Sequence, residues 1–197
     1  MTKGHETRNA ILDQAIDLCS EVGLQGLTIG QLARRAGLSK SGLYAHFQSK
    51  ENLQCAVLEA AADQFTHSIL VPAFRQSRGL PRIEAMFHNW LEWGAVKLPG
   101  GCPFIAAASE FDDQPGPVRD ALARHIGNML AMVARAARFS MDEGHFRPDL
   151  DPEQYAFEYW GIILGHHNYF RLLQRDDAEL RTRQAFQGLI ARAQTTT

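Results

Sequence analysis

Leu27-Thr-Ile-Gly-Gln-Leu-Ala-Arg-Arg-Ala-Gly-Leu-Ser-Lys-Ser-Gly-Leu-Tyr-Ala-His-Phe-Gln-Ser-Lys-Glu-Asn-Leu53 is the stretch that decides the fold. Thr28 with Gln31 three residues on reads as a capping box, in which the hydroxyl and the amide satisfy backbone donors left open at a helix start. Ile29, Leu32, Ala33 and Ala36 follow at helical spacing and form one apolar face. Gly37 stands where the helix stops in a left-handed turn, a conformation cheap for glycine alone. Leu38 then plugs the angle between helices, Ser39 caps the next helix, and Leu43 and Phe47 turn inward. A small Ala33, a turn Gly37 and an apolar Leu43 are what two short helices packed at a steep angle require.

A helical bundle core would account for that apolar spacing by itself. It leaves unexplained the outward side of the second of these helices, which carries Lys40, Ser41, Gly42, Tyr44, Ala45 and His46, with Lys50 just beyond. Small residues let a helix approach base edges, while Lys, Tyr and Ser suit phosphate oxygens. The face therefore predicts DNA binding. Upstream, Ile11, Leu12, Ala15, Leu18, Cys19 and Val22 share a face of a first helix that stops at Gly23, completing a three-helix head.

Working outward, all eight prolines lie at or after Pro72, so a proline-free head is followed by a punctuated body. Between the prolines the apolar residues keep helical spacing, and no stretch alternates with period two. The fold class is all-α, with nine helices at about 6–22, 28–36, 40–47, 50–75, 81–97, 103–111, 117–143, 152–174 and 178–193. Asp151 before Pro152 with Gln154, and Asp176 with Glu179, mark helix starts; Pro81, Pro103 and Pro117 fit first turns. The polar tail Gln194-Thr-Thr-Thr reads as frayed. The division expected is a helix-turn-helix DNA-binding domain over 1–50 and a larger helical ligand-binding and dimerisation domain over 51–197.

The chain of 197 residues is 45% hydrophobic and 21% charged, a globular composition that excludes disordered, collagenous and rod-like classes. The net charge of -2 hides an asymmetry. Residues 1–50 hold six basic side chains (Lys3, Arg8, Arg34, Arg35, Lys40, Lys50) against four acidic ones, a net +2, while the remainder stands at -4. The start lacks the apolar stretch of a signal peptide and no apolar run is long enough to span a bilayer, so a cytoplasmic protein with no membrane partner is expected. Cys19, Cys55 and Cys102 are odd in number and scattered, offering neither a disulfide framework nor a metal-ligand pair.

The run from Leu27 to Leu53, above all Leu43-Tyr-x-His-Phe-x-Ser-Lys-Glu-x-Leu53, closely resembles the DNA-binding signature of the TetR/AcrR family of bacterial transcriptional repressors, and the likeness extends over roughly residues 8–58. The resemblance implies phosphate contacts for Thr28, Lys40, Tyr44 and Lys50, and places Ser39, Ser41, Gly42, Ala45 and His46 near the bases or the groove wall. Gly42 and Ala45 carry no donor, so part of the specificity is expected from DNA shape or water. It also implies a homodimer on a palindromic double-stranded operator, and release by a small-molecule effector that moves the long fourth helix.

In the body, Leu180, Phe186, Leu189, Ile190 and Ala193 form a stripe on the ninth helix. Tyr155, Tyr159, Ile162, Ile163, His166, Tyr169, Phe170 and Leu173 cover much of the eighth. These predict a dimer surface, with Tyr159, Ile163, His166, Phe170, Phe186, Leu189 and Ile190 at its centre. Packing of the same helices within one chain is the alternative. Gly161-x-x-x-Gly165 costs about 1 kcal/mol per glycine in a helix interior, which close helix approach would offset. Aromatic and small residues elsewhere predict an apolar or aromatic effector held among helices, with Phe65, Phe87, Trp90, Cys102, Phe104, Trp160 and His167 as its walls.

Cys102, just before Pro103, sits where a helix dipole lowers a thiol pKa, so a redox or electrophile sensor on the same scaffold is a second reading; a buried residue in a tight glycine turn is the plainer one. No H-E-x-x-H, G-x-S-x-G or G-x-x-x-x-G-K-[ST] motif is present, and His166 and His167 point about 100° apart on a helix. No catalytic residue, metal or cofactor is assigned.

Overall fold

The computed structural model describes residues 3–194, so the last three threonines of the polar tail lie outside the described residues. The chain is all-helical over this span. Its elements are α1 (Lys3–Val22), α2 (Ile29–Ala36), α3 (Lys40–Phe47), α4 (Lys50–Phe65), α5 (Leu80–Glu92), α6 (Pro103–Phe111), α7 (Pro117–Asp142), α8 (Pro152–His167) and α9 (Ala178–Ala193), nine helices among the described residues. Three of them end in a wider π-helical turn: Thr66–Leu70 after α4, Trp93–Lys97 after α5 and Asn168–Leu172 after α8. The first leads into a last turn, Val71–Ala73, where Pro72 cannot donate to the ladder of a regular α-helix.

The chain compacts into two units that do not coincide with the segments 1–50 and 51–197. One comprises residues up to 64 with 98–125, the other 65–97 with everything from 126 onward. The reason is visible in the burial: Leu53, Val57, Leu58 and Ala61 of α4 are fully buried and belong with the head helices.

In the first unit, Ile11, Leu12, Ala15, Ile16, Leu18 and Cys19 of α1 close on Leu32 and Ala33 of α2, Leu43 and Phe47 of α3, and Phe104 and Ala107 of α6. Val22, expected on the same apolar face, is 41% exposed because α1 ends there. The loop before α6 presses on the end of α1: the Gly100 N–H donates to Ser20 Oγ at 2.9 Å. Glu110 of α6 accepts from the Gln25 N–H at 2.8 Å, holding the turn that leads to α2.

The second unit is built on aromatic rings. Phe87 of α5 lies parallel to Phe186 of α9 at 3.7 Å between centroids, Tyr159 of α8 meets both edge-on, and Phe65 stands edge-on to Trp90 and Trp93. Asp151 caps α8 by accepting from Glu153 N and Gln154 N, as its sequence position predicts. Asp176 does not cap α9. The residue before that helix is Asp177, whose carboxylate is taken up by Arg175 and Arg181 and held down to about pKa 2 by them.

Candidate nucleic-acid interface

The α2–α3 corner forms as its residues dictate. Thr28 Oγ1 accepts from the Gln31 N–H at 3.2 Å and donates to Gln31 Oε1 at 2.8 Å, so the glutamine amide holds the capping hydroxyl instead of the Thr28 backbone. Gly37 adopts φ +65°, and its successor's N–H returns to Ala33 O at 2.9 Å. Ser39 Oγ accepts from Gly42 N at 3.0 Å and starts α3. Leu38 does not plug the corner: it is 36% exposed, and the buried residues of the two helices are Leu32, Ala33, Leu43 and Phe47.

Every residue assigned to DNA from the sequence is exposed: Thr28, Ser39, Lys40, Ser41, Gly42, Tyr44, Ala45, His46 and Lys50. The inward residues of α3 are Leu43 and Phe47 alone, which turns the remaining side of the helix to solvent. From Val22 through Lys50 there is no acidic residue, while Arg34, Arg35, Lys40 and Lys50 supply four cations. Arg35 is neutralised by Glu21 at 3.2 Å. Lys50 Nζ donates to the Gln25 carbonyl at 2.5 Å, which fixes its ammonium at the start of α4 beside the α1–α2 turn. Two features were not read from the sequence. Arg8 lays its guanidinium 5.4 Å from the Phe47 ring centre, and Arg34 reaches back along α2 toward Gly30. Both depend on side-chain direction, which spacing does not reveal.

The other assigned residues are placed differently from expectation. Of the dimer set, Tyr159, Ile163, Phe186, Leu189 and Ile190 are buried in the chain's own core, at 1–4% exposure, and offer no surface to a partner. The intramolecular alternative accounts for them, because α8 and α9 spend these faces on Phe87 and on each other. His166 is half-buried and Phe170 exposed, with their rings parallel at 5.6 Å. Leu180, read as part of the same stripe, is 59% exposed. Outside that core, α8 and α9 border an open groove of about 510 Å³, lined among others by Glu158, Gly161, Gly165, His166, Arg181 and Ala185.

The expected effector walls fall into both units. Cys102 and Phe104 lie in the first, Phe65, Phe87, Trp90, Trp160 and His167 in the second. Within the second, Trp90 packs against Phe65 at 4.8 Å and Trp160 at 5.8 Å; its Nε1–H and the hydroxyls of Tyr155 and Tyr159 are buried without a hydrogen-bond partner. Cys102 occupies the N-cap of α6 as expected, but makes no cap hydrogen bond and is 3% exposed. Cys19 is fully buried, and burial pushes its thiol up to about 12. Among the described residues no helix is long and apolar enough to cross a membrane, and no group of three or more His, Cys, Asp or Glu side chains is placed to hold a metal ion.

A helix-turn-helix with an exposed, acid-free second helix defines a DNA-binding protein, and comparison with known proteins gives its family. Residues 11–57 match the profile of bacterial regulatory proteins of the tetR family, and residues 79–186 match the tetracyclin repressor-like C-terminal domain. The chain belongs to the TetR family of transcriptional regulators.

The tetracycline repressor protein class A from transposon 1721 of Escherichia coli is 44% identical over 62 residues, 31% of this chain and 29% of that repressor, so the chain spans less than a third of its length. The HTH-type transcriptional regulator SrpR of Pseudomonas putida is 25% identical over 83% of this chain and 74% of its own. Among solved structures, a TetR transcriptional regulator from Chloroflexus aurantiacus superposes with a TM-score of 0.85 at 26% identity, covering 97% of this chain and 96% of that one. AibR, solved in complex with isovaleryl coenzyme A and operator DNA, superposes with a TM-score of 0.71 at 23% identity over 94% and 96% of the two chains, a likeness of fold.

Proposed function

We propose that the protein is a repressor that binds a palindromic operator as a homodimer and is released by a small apolar or aromatic effector. The observation that carries the DNA-binding part is the exposed side of α3, with Lys40 and Tyr44 for phosphates and Ser41, Gly42, Ala45 and His46 toward the groove. Residues 1–50 serve as the reader and 51–197 as the sensing and pairing part in this division of labour. Repression is the role of the tetracycline repressors that the head resembles, and AibR, a chain of the same fold, was solved with operator DNA and isovaleryl coenzyme A.

The homodimer reading is supported by Gly161 and Gly165. A Cβ on either would meet nothing within 4 Å, so no close approach inside the chain offsets their cost in a helix interior. A second copy seated in the α8–α9 groove supplies that approach, with His166 at its border and Phe170 stacked on the His166 ring. The effector reading is supported by the unpaired Trp90 Nε1–H and Tyr159 hydroxyl within the aromatic core, beside Phe65, Phe87 and Trp160. An apolar ligand with one hydrogen-bond acceptor satisfies both requirements. About 1.4 kcal/mol of preference for the DNA-incompetent state shifts the balance tenfold. Burial of Cys102 favours this reading over a thiol sensor.

The test is selection of bound fragments from random DNA with purified protein. A recovered palindrome is expected. Lys40→Ala then weakens binding on all sequences alike, while changing His46 alters the preferred bases. No enriched fragment in ligand-free protein, or a Lys40→Ala protein that binds as well as wild type, rejects the reading.

A further inference from the structure

Gly30 lies one turn before Arg34 on the same face of α2, and helical side chains lean toward the N-terminus. Lys40, the first residue of α3, arrives over the same spot from the other side of the corner. An ideal Cβ on Gly30 would sit 3.3 Å from Lys40 Cε, 3.8 Å from its Nζ and 3.9 Å from Arg34 Nη1. Two cations thus converge on the one position where α2 has no side chain.

Like charges repel, and nearby acids usually compensate them. None does here: α2 and α3 carry no acid, and among the described residues neither Arg34 nor Lys40 makes an ion pair or a side-chain hydrogen bond. The adjacent Arg35 is the contrast, since both its terminal nitrogens are engaged by Glu21. Two unpaired cations meeting over a glycine leave a place for an anion that both can reach, and Arg presents a planar fork suited to phosphate oxygens.

We propose that Arg34 and Lys40 close over Gly30 as a clamp on one phosphate of the DNA backbone, making Arg34 a phosphate ligand in addition to the residues assigned above. The clamp rests on the reading of α3 as the DNA-facing helix. It fixes register without reading bases, which complements an α3 face where Gly42 and Ala45 provide no donors.

The test uses the full chain and a fluorescent mixed-sequence duplex oligonucleotide, with affinity followed over a salt series for wild type, Arg34→Ala, Arg34→Lys and Arg35→Ala. Each phosphate contact adds about 0.9 to the slope of log affinity against log salt. Arg34→Ala is expected to flatten the slope by about 0.9 per bound subunit, Arg34→Lys to keep it, and Arg35→Ala, which removes a charge already paired, to change it less. Equal slopes for wild type and Arg34→Ala overturn the clamp while leaving the DNA reading intact. Equal flattening by Arg34→Ala and Arg35→Ala overturns it too, since net charge then explains the effect. Wild type that fails to bind duplex DNA even at low salt removes the DNA reading and the clamp together.

Discussion

Thr182 donates its hydroxyl proton to the carbonyl of Ala178 at 2.7 Å, so it can only accept from His166, whose Nδ1 stands 3.0 Å from the same oxygen. His166 is therefore the Nδ1–H tautomer, with a bare Nε2 that is buried and has no partner. Burial holds its pKa below 6.5 despite the opposing pull of Glu179; burial does the same to His167, assisted by Arg171 and His166, and to His88. A base whose folded pKa is depressed takes up its proton more readily when unfolded. Stability is then full above 6.5 and is lost as the pH falls from there toward the lowered values. Urea unfolding midpoints should drop on acidification through this window, and His166→Gln should flatten the drop. An unchanged pH slope in that variant removes His166 from the account.

The corner that presents α3 depends on two residues with positive φ, Gly37 at +65° and Gln48 at +64°. Glycine takes this conformation freely, whereas a side chain costs about 1–2 kcal/mol there. Gly37→Ala should lower stability by about 1 kcal/mol even though a Cβ would meet nothing within 4 Å. Gln48→Gly should raise it by a few tenths to about 1 kcal/mol, the relief of strain outweighing the added freedom of the unfolded chain. Chemical denaturation of the pair checks both signs.

Local chemistry made the head legible. Thr28, Gly37, Ser39, Leu43 and Phe47 act on neighbours within a few residues, so their spacing carries the geometry, and the nine residues assigned to DNA from the sequence emerge exposed. Leu38 shows the limit, since which of two adjacent leucine or alanine positions fills a corner depends on the crossing of the helices. The body was legible as helices but not as surfaces. Phe186 and Ile190 form a stripe whether it faces Phe87 or a second chain, and periodicity reports only that the face is buried. The compact units escaped the sequence for a related reason: residues 98–125 join the head through contacts such as Gly100 on Ser20, some 80 residues apart in the chain.

That contact yields a sharp substitution. A Cβ on Gly100 would lie 1.7 Å from the Ser20 carbonyl oxygen and 1.9 Å from its carbon, both backbone atoms that cannot swing aside. Gly100→Ala should cost at least about 3 kcal/mol, beyond the usual range for overpacking. Thermal unfolding of this variant beside Gly144→Ala, where positive φ alone is the cost, separates the clash from the backbone effect.

The three thiols should differ in native protein. Cys55 is partly exposed, while Cys19 and Cys102 are 0% and 3% exposed. Iodoacetamide near neutral pH should alkylate Cys55 first, slowly, because burial and the neighbouring Glu51 and Glu59 raise its pKa. Mass spectrometry of the digested protein resolves the sites. Cys102 labelling ahead of Cys55 would restore the thiol sensor.

The dimer face can be tested by contrasting buried and open positions on the same helix. Phe186→Asp places a charge against the Phe87 ring, and Ile190→Asp buries another; each should unfold the chain by more than about 3 kcal/mol, so a loss of dimers there says nothing about the interface. Ala185 immediately precedes Phe186 in sequence yet is exposed along the groove, and Gly165 opposite has open space above it. Ala185→Glu with Gly165→Glu adds acids beside Glu158 without touching the core, and the glycine replacement favours the helix by about 0.5 kcal/mol or more. The double variant should keep its circular dichroism and sediment as a monomer, with DNA affinity falling as paired half-sites are lost. Dimers that persist in a folded double variant place the pairing surface elsewhere on the chain.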